Sequence, residues 1–150
     1  VTIEWLLNEL LPFCSYVDAD PEPKIVSLEH VHHLGTEVAG QLSSPPCSIL
    51  ELVNALHPTP AVGGDPQTEA LTIIKRGEGI DRRRYAGPVG WLAADGDGEF
   101  AVGIRSAEVE ANTARLFAGV GLVEDSDPQS ELEETEAKFK TMLNTFLSTT

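Results

Sequence analysis

The residues of this 150-residue chain whose types could do chemistry fall in a few short stretches. Read as a strand, Glu99 to Ala107 alternates so that Arg105 shares a face with Ala101, Gly103 and Ala107, with Phe100, Val102 and Ile104 opposite. Small neighbours leave the guanidinium open to approach, which suits two-point capture of a carboxylate. The plainer alternative is an arginine on an ordinary sheet surface. In the next expected strand Gly119 and Gly121 fall on one face, removing two side chains where a ligand could reach the backbone, although a glycine bulge explains them equally well. Further on, Glu131, Glu134 and Lys138 stand at i, i+3, i+7 on one helical stripe. Two stacked carboxylates with a lysine one turn on make half of a site for a divalent cation and an anionic ligand, and such oxygen donors select Mg²⁺ over zinc or copper. The same carboxylates would also serve as a solvated first turn favoured by the helix dipole.

Other stretches carry less. Asp95-Gly-Asp-Gly-Glu99 starts like a calcium loop but has no glutamate at the twelfth position and no second helix, so it reads as a hairpin turn. His30 and His32 would share a strand face beside His33, which without a further ligand nearby is too few for a metal site. No Lys-Ser/Thr pair follows Gly63-Gly64, which excludes a Walker loop.

The elements that must position these residues are legible in outline. A first helix with Ile3, Leu6, Leu7, Leu10 and Leu11 on its apolar face stops at Pro12; Phe13 to Val17 read as an irregular turn and residues 18–23 as loop. Lys24 to His32 alternates as a short strand, and Gly35 to Leu42 is either a further strand or a helical turn. Ser48 and Glu51 form a capping box ahead of a helix to Leu56, which His57-Pro-Thr-Pro60 ends. A helix over 66–78 has proline at its start and glycines past its end. Strands at Val89 to Ala93, Glu99 to Ala107 and Ala114 to Val123 would make three antiparallel strands, followed by a helix from about Pro128 to Leu147 with Asp127 as its N-cap.

Composition bounds the partners. Ten Lys plus Arg against 24 Asp plus Glu give a net charge of −14, which disfavours nucleic acid and anionic membrane surfaces. No apolar run is long enough to span a bilayer, and no basic segment precedes one as in a signal peptide. Cys14 and Cys47 fit neither a zinc spacing nor a disulfide framework, so a reducing, cytoplasmic compartment is expected. The length suits one domain around one core.

Taken together, Leu56-His-Pro-Thr-Pro-Ala-Val-Gly-Gly64, Tyr85-Ala-Gly-Pro-Val-Gly-Trp91, Ile104-Arg-Ser-Ala107, Ala118-Gly-Val-Gly-Leu-Val123 and Ser126-Asp-Pro to Glu134-Thr135 with Lys138 resemble the chorismate-utilising enzymes, in that family's order. His-Pro-Thr-Pro-Ala-Val-Gly-Gly and Arg-Ser-Ala are most similar to isochorismate synthases. The resemblance implies an α+β fold of the anthranilate synthase component I-like kind, with antiparallel sheets packed face to face and helices outside. It also implies Mg²⁺-dependent conversion of chorismate to isochorismate, for a quinone or siderophore pathway. By the same resemblance Glu134, and Glu131 directly or through water, are Mg²⁺ ligands, while Arg105 and Lys138 pair with chorismate's carboxylates. Gly119 and Gly121 are backbone donors, Ala61, Val62 and Tyr85 line the ring, and His33 stands near the substrate. Val120 replaces the family's usual alanine on what the strand reading makes the opposite face. Another product of the same substrate (anthranilate, aminodeoxychorismate or salicylate), or a chorismate-binding fragment without chemistry, are the alternatives.

Family members are considerably longer, with their general base and general acid upstream of every motif present here. Residues 1–150 are therefore expected to be the C-terminal portion of a chorismate-binding catalytic domain, partnered by the missing N-terminal part or by self-association. General acid and base groups contribute ~10²–10⁴-fold each, so the 150-residue chain alone is expected to make no detectable isochorismate. Turnover measured on that chain would place base and acid within it.

Overall fold

The structure, a computed structural model, describes residues 2–27 and 32–147, the side chains of His32 and His33 excepted. It divides into two compact units, Val1–Pro60 with Trp91–Glu99 and Ala61–Gly90 with Phe100–Thr150.

In the first unit the amphipathic helix α1 (Thr2–Leu10) ends two residues before Pro12 and packs on strand β1 (Cys14–Ala19). Strand β1 stands where the sequence suggests an irregular turn and a loop. A bulge sets Cys14 opposite Leu42 but Tyr16 opposite Gln41, so two residues of one strand face one of the other. That shift breaks the period-two pattern by which a strand is read. Strands β2 (Lys24–Ser27) and β3 (His32–Gly35) pair antiparallel, and β4 (Val38–Leu42) returns along β1, with Asp20 N–H donating to Glu37 O at 2.9 Å between the two ladders. Gly35 to Leu42 is thus strand, and His30 lies outside the described residues. The capping box forms as expected. Ser48 Oγ accepts from Glu51 N–H at 3.3 Å and Glu51 Oε2 accepts from Ser48 N–H at 2.8 Å, starting α2 (Ile49–Leu56), which packs on α1.

The second unit begins at Ala61, within a short helix the sequence did not suggest, α3 (Pro60–Gly63), which is followed by α4 (Gln67–Gly77). Gly64 joins them at φ +75°, and a Cβ there would lie 2.5 Å from the Ala70 Cβ, so glycine is required on both counts. Residues 91–99, which belong to the first unit, carry the turn between the paired strands β5 (Pro88–Leu92) and β6 (Gly98–Val102): Ala93 N–H donates to Asp97 O at 2.7 Å and Gly96 sits at φ +98°. That is the hairpin reading of the acidic run.

Two expected strands are shorter than their sequences suggest. Glu99 to Ala107 breaks after Val102, and β7 (Ala107–Glu110) starts afresh to pair with β8 (Thr113–Leu116), so there are two separate pairs in place of one three-stranded sheet. Residues 117–123 belong to no strand. The last helix, α5 (Pro128–Leu147), has the expected bounds and packs against β8. Asp127 Oδ1 accepts from Ser130 N–H at 2.9 Å and from Ser130 Oγ at 2.8 Å, while Pro128 has no N–H to leave unpaired.

Ala86 and Phe117 are the buried hydrophobic side chains among the described residues. The accessible surface is 11345 Å². In place of the one core expected from length, the chain forms two compact units, and Ile25 (71% exposed), Leu34 (74%), Leu122 (73%) and Val123 (73%) stand exposed on them. No described helix is long and apolar enough to cross a membrane.

The cap on α5 yields a pH test. Hydrogen bonds from the Ser130 N–H and hydroxyl hold the Asp127 carboxyl below its ordinary value. A depressed folded pKa lends stability that is complete above the unfolded pKa and is lost as pH falls through the folded one. Asp127→Ala is therefore expected to lower the melting temperature at neutral pH, by an amount that shrinks below about pH 4. A deficit unchanged down to about pH 2 would contradict the cap assignment.

Candidate functional site

The site is built where two stretches of backbone cross. Tyr85 N–H donates to Arg82 O at 2.8 Å and Gly87 N–H to Arg84 O at 3.0 Å, closing a tight turn over residues 82–87. This turn docks on Gly103: Ala86 N–H donates to Gly103 O at 2.9 Å and Gly103 N–H to Gly87 O at 2.7 Å. Gly103 thus spends its backbone groups on the turn instead of extending β6. A Cβ on it would come within 3.1 Å of Gly87 O and 3.2 Å of the Val89 Cγ2. Immediately after, Ile104 N–H donates to Val102 O at 2.8 Å, a three-residue turn, and Arg105 follows at φ +49°. Arg83 (φ +50°) and Ala86 (φ +63°) are also left-handed. Non-glycine residues rarely hold that conformation, at a cost of about 1–3 kcal/mol each, and such residues gather where function needs them.

Around this crossing opens a cavity of about 350 Å³, all of it within the second unit. Ala61 and Val62 reach it from α3, Tyr85 from the turn, Arg105 from the kink, Gly119 and Gly121 from the irregular segment after β8, and Lys138 from α5. Seven of the residues singled out in the sequence thus line one space, although neither Arg105 nor the two glycines stands on a strand as expected. Alternation therefore does not explain their shared exposure. Val120, read as facing away, lines the cavity too, since an irregular segment has no alternating faces.

The aromatic wall is well defined. Tyr85 stacks on buried Phe117 with ring centroids 5.2 Å apart and planes 12° apart. A Cβ on Gly119 would lie 3.2 Å from the Tyr85 hydroxyl oxygen, so this glycine makes room for the phenol. Burial pushes the Tyr85 phenol above its usual pKa, partly offset by the nearby Arg82 charge, so it is a neutral hydroxyl at neutral pH.

Charge at the rim comes from α5. Lys138 Nζ donates to Gly119 O at 3.2 Å and lies 2.7 Å from Glu134 Oε1, using two of its three donors. Glu131 Oε1 accepts from Ser126 Oγ at 2.7 Å. Neither glutamate lines the cavity; Glu134 adjoins it through Lys138. Among the described residues no three His, Cys, Asp or Glu side chains gather as a metal cluster. The two α5 carboxylates are nonetheless hard oxygen donors one turn apart, the kind and number by which Mg²⁺ is often held when water and ligand oxygens complete its shell.

His33 lies on β3 in the first unit, and its side chain is outside the described residues. Sequence reading missed Phe117, Glu78 and Arg82, which also line the cavity. The i, i+4 spacing of Glu78 and Arg82 was a signal available for the last two.

The family model described as chorismate binding enzyme matches residues 1–147. The isochorismate synthase MenF of Bacillus subtilis is 44% identical over 144 residues, covering 96% of this chain and 30% of that protein. The isochorismate synthase DhbC of the same organism is 46% identical over 134 residues, covering 89% and 34%. Among solved structures, DhbC from Bacillus anthracis matches with a TM-score of 0.91 at 47% identity, over 95% of this chain and 38% of that one. Anthranilate synthase component I from Streptococcus pneumoniae matches with a TM-score of 0.84 at 30% identity, over 94% and 33%. The chain spans about a third of the length of the curated relatives it matches. Its helices and antiparallel strand pairs are those of the anthranilate synthase component I-like fold, and the chain belongs to the chorismate binding enzyme family.

Proposed function

We propose that the cavity of the second unit is part of a chorismate site, and that the polypeptide carrying this chain converts chorismate to isochorismate. The observation that carries the reading is the convergence of Ala61, Val62, Tyr85, Arg105, Gly119, Gly121 and Lys138, from five separate stretches of sequence, on one cavity. That relatives at 44% and 46% identity are isochorismate synthases favours this product over anthranilate, the product class of the more distant 30% neighbour.

In this reading the dicarboxylate is bound by charge and the ring by shape. Arg105 and Lys138 take the carboxylates, the guanidinium at two points and the ammonium through its remaining donor. Val62, Ala61 and the Tyr85 ring bound the carbocycle, and backbone N–H groups at Gly119 and Gly121 complete the cradle. These cations gather on a chain of net charge −14, so long-range attraction for the dianion is left to Arg105, Lys138 and a metal. Glu134 and Glu131 would hold Mg²⁺, which when bound neutralises carboxylate charge and polarises substrate oxygens. Water adds at one ring carbon as hydroxide leaves another, and the proton transfers are assigned to none of the residues described. The rest of a full-length enzyme is proposed to be the partner, and the cytoplasm to be its location.

The test is product analysis on the intact polypeptide, because isochorismate is non-aromatic whereas anthranilate and salicylate fluoresce. A fluorescent product would overturn the isochorismate reading but keep the site; no consumption of chorismate would overturn both. Arg105→Lys is expected to cost more than about 1.4 kcal/mol, roughly tenfold in kcat/KM, since a planar fork becomes a point charge. A smaller loss would make Arg105 structural. Glu134→Gln is expected to abolish Mg²⁺-dependent turnover and to weaken Mg²⁺ binding measured by calorimetry, whereas activity within a few-fold of wild type at limiting Mg²⁺ would reject the ligand assignment.

A further inference from the structure

We propose that Arg82 is a positioning residue: its guanidinium, gripped by Glu78, fixes both the Val62 carbonyl and the Tyr85 ring, and so sets two walls of the cavity against which a ligand ring would rest. The proposal deepens the chorismate reading and rests on it for the identity of the ligand.

The geometry is that of a single planar group tying three segments together. Arg82 Nε donates to Glu78 Oε2 at 2.7 Å and Nη2 donates to Glu78 Oε1, a two-point pair across one turn of chain. Nη1 points elsewhere and donates to Val62 O at 2.9 Å, holding α3 to this segment. The face of the same group lies over Tyr85, with Cζ 5.8 Å from the ring centroid, within the range in which a ring quadrupole attracts a cation. Tyr85 in turn stacks on Phe117 and sets its hydroxyl against Gly119, whose carbonyl accepts from Lys138. Contacts therefore run without a gap from Glu78 at the end of α4 to Lys138 on α5.

Two features argue for a role in ligand binding beyond fold support. Arg82 and Glu78 both line the cavity, yet each is spent on the other, so the pair contributes shape there without competing for a carboxylate. Every group that Arg82 holds, Val62 and Tyr85, is itself a cavity wall. Lysine could not replace it, because one ammonium cannot make the fork, reach Val62 O and lie flat on a ring at once.

Such a residue touches no reacting atom, so its loss weakens ground state and transition state alike, raising KM while leaving kcat little changed. A merely structural loss does the opposite, because a smaller folded fraction lowers apparent kcat at unchanged KM. The experiment compares wild type, Arg82→Lys and the milder Glu78→Gln in the polypeptide that carries this chain. It measures KM and kcat for chorismate, together with the Tyr85 ring resonances in tyrosine-labelled protein, which are identified by their disappearance in Tyr85→Phe. Arg82→Lys is expected to raise KM about tenfold with kcat within about twofold, Glu78→Gln to raise it less, and both to shift the Tyr85 resonances in the absence of ligand. If Arg82→Lys fails to fold, Glu78→Gln carries the same two readouts. Unshifted Tyr85 resonances, or lowered kcat at unchanged KM, would overturn the proposal. Absence of chorismate turnover in wild type would instead sink the functional reading, and the ligand-free resonances would still decide whether Arg82 positions Tyr85.

Discussion

The exchange of two backbone hydrogen bonds between Gly103 and the 86–87 peptide groups is the constraint on which the second unit depends. It stops β6 at Val102, forces the three-residue turn at Ile104 and puts Arg105 into a left-handed conformation. The same two bonds hold the turn that carries Tyr85, so the guanidinium reaches the cavity just past the end of β6 and the phenol just ahead of β5. A Cβ at position 103 would crowd the crossing, meeting the Gly87 carbonyl oxygen at 3.1 Å and the Val89 Cγ2 at 3.2 Å. Strain at Arg83, Ala86 and Arg105 is tolerated because the surrounding hydrogen bonds over-determine the local path.

What could be read from the sequence follows from how local each determinant is. The caps of α2 and α5 lie within four residues of the helices they start, so Ser48-Glu51 and Asp127-Pro128 announced them correctly. The breaks in the strands at Val102 and Leu116 are decided by partners distant in sequence, and nothing in Phe100 to Ala107 records that Gly103 will bond residues 86 and 87. Arg105 and the two glycines are singled out by an alternation that the chain does not follow, and the order of the family motifs is what groups them with Lys138. Phe117 was taken as one more strand residue, because burial beneath a stacked tyrosine is a tertiary fact.

The chain spans about a third of the length of its curated relatives, and large apolar side chains such as Ile25, Leu34, Leu122 and Val123 are exposed in it. Yet the cavity walls are already set by contacts internal to one unit: the Gly103 crossing, the Arg82 fork and the Tyr85–Phe117 stack. The walls of the proposed binding site are therefore local to this unit.

The most direct measurement of the central claim is a crystal structure of the intact polypeptide soaked with chorismate and Mg²⁺. The account predicts a dicarboxylate in the second-unit cavity, its carboxylates in hydrogen-bond contact with Arg105 and Lys138 and its ring against Val62 and Tyr85. Ligand bound elsewhere, with solvent alone between Arg105 and Lys138, would contradict it.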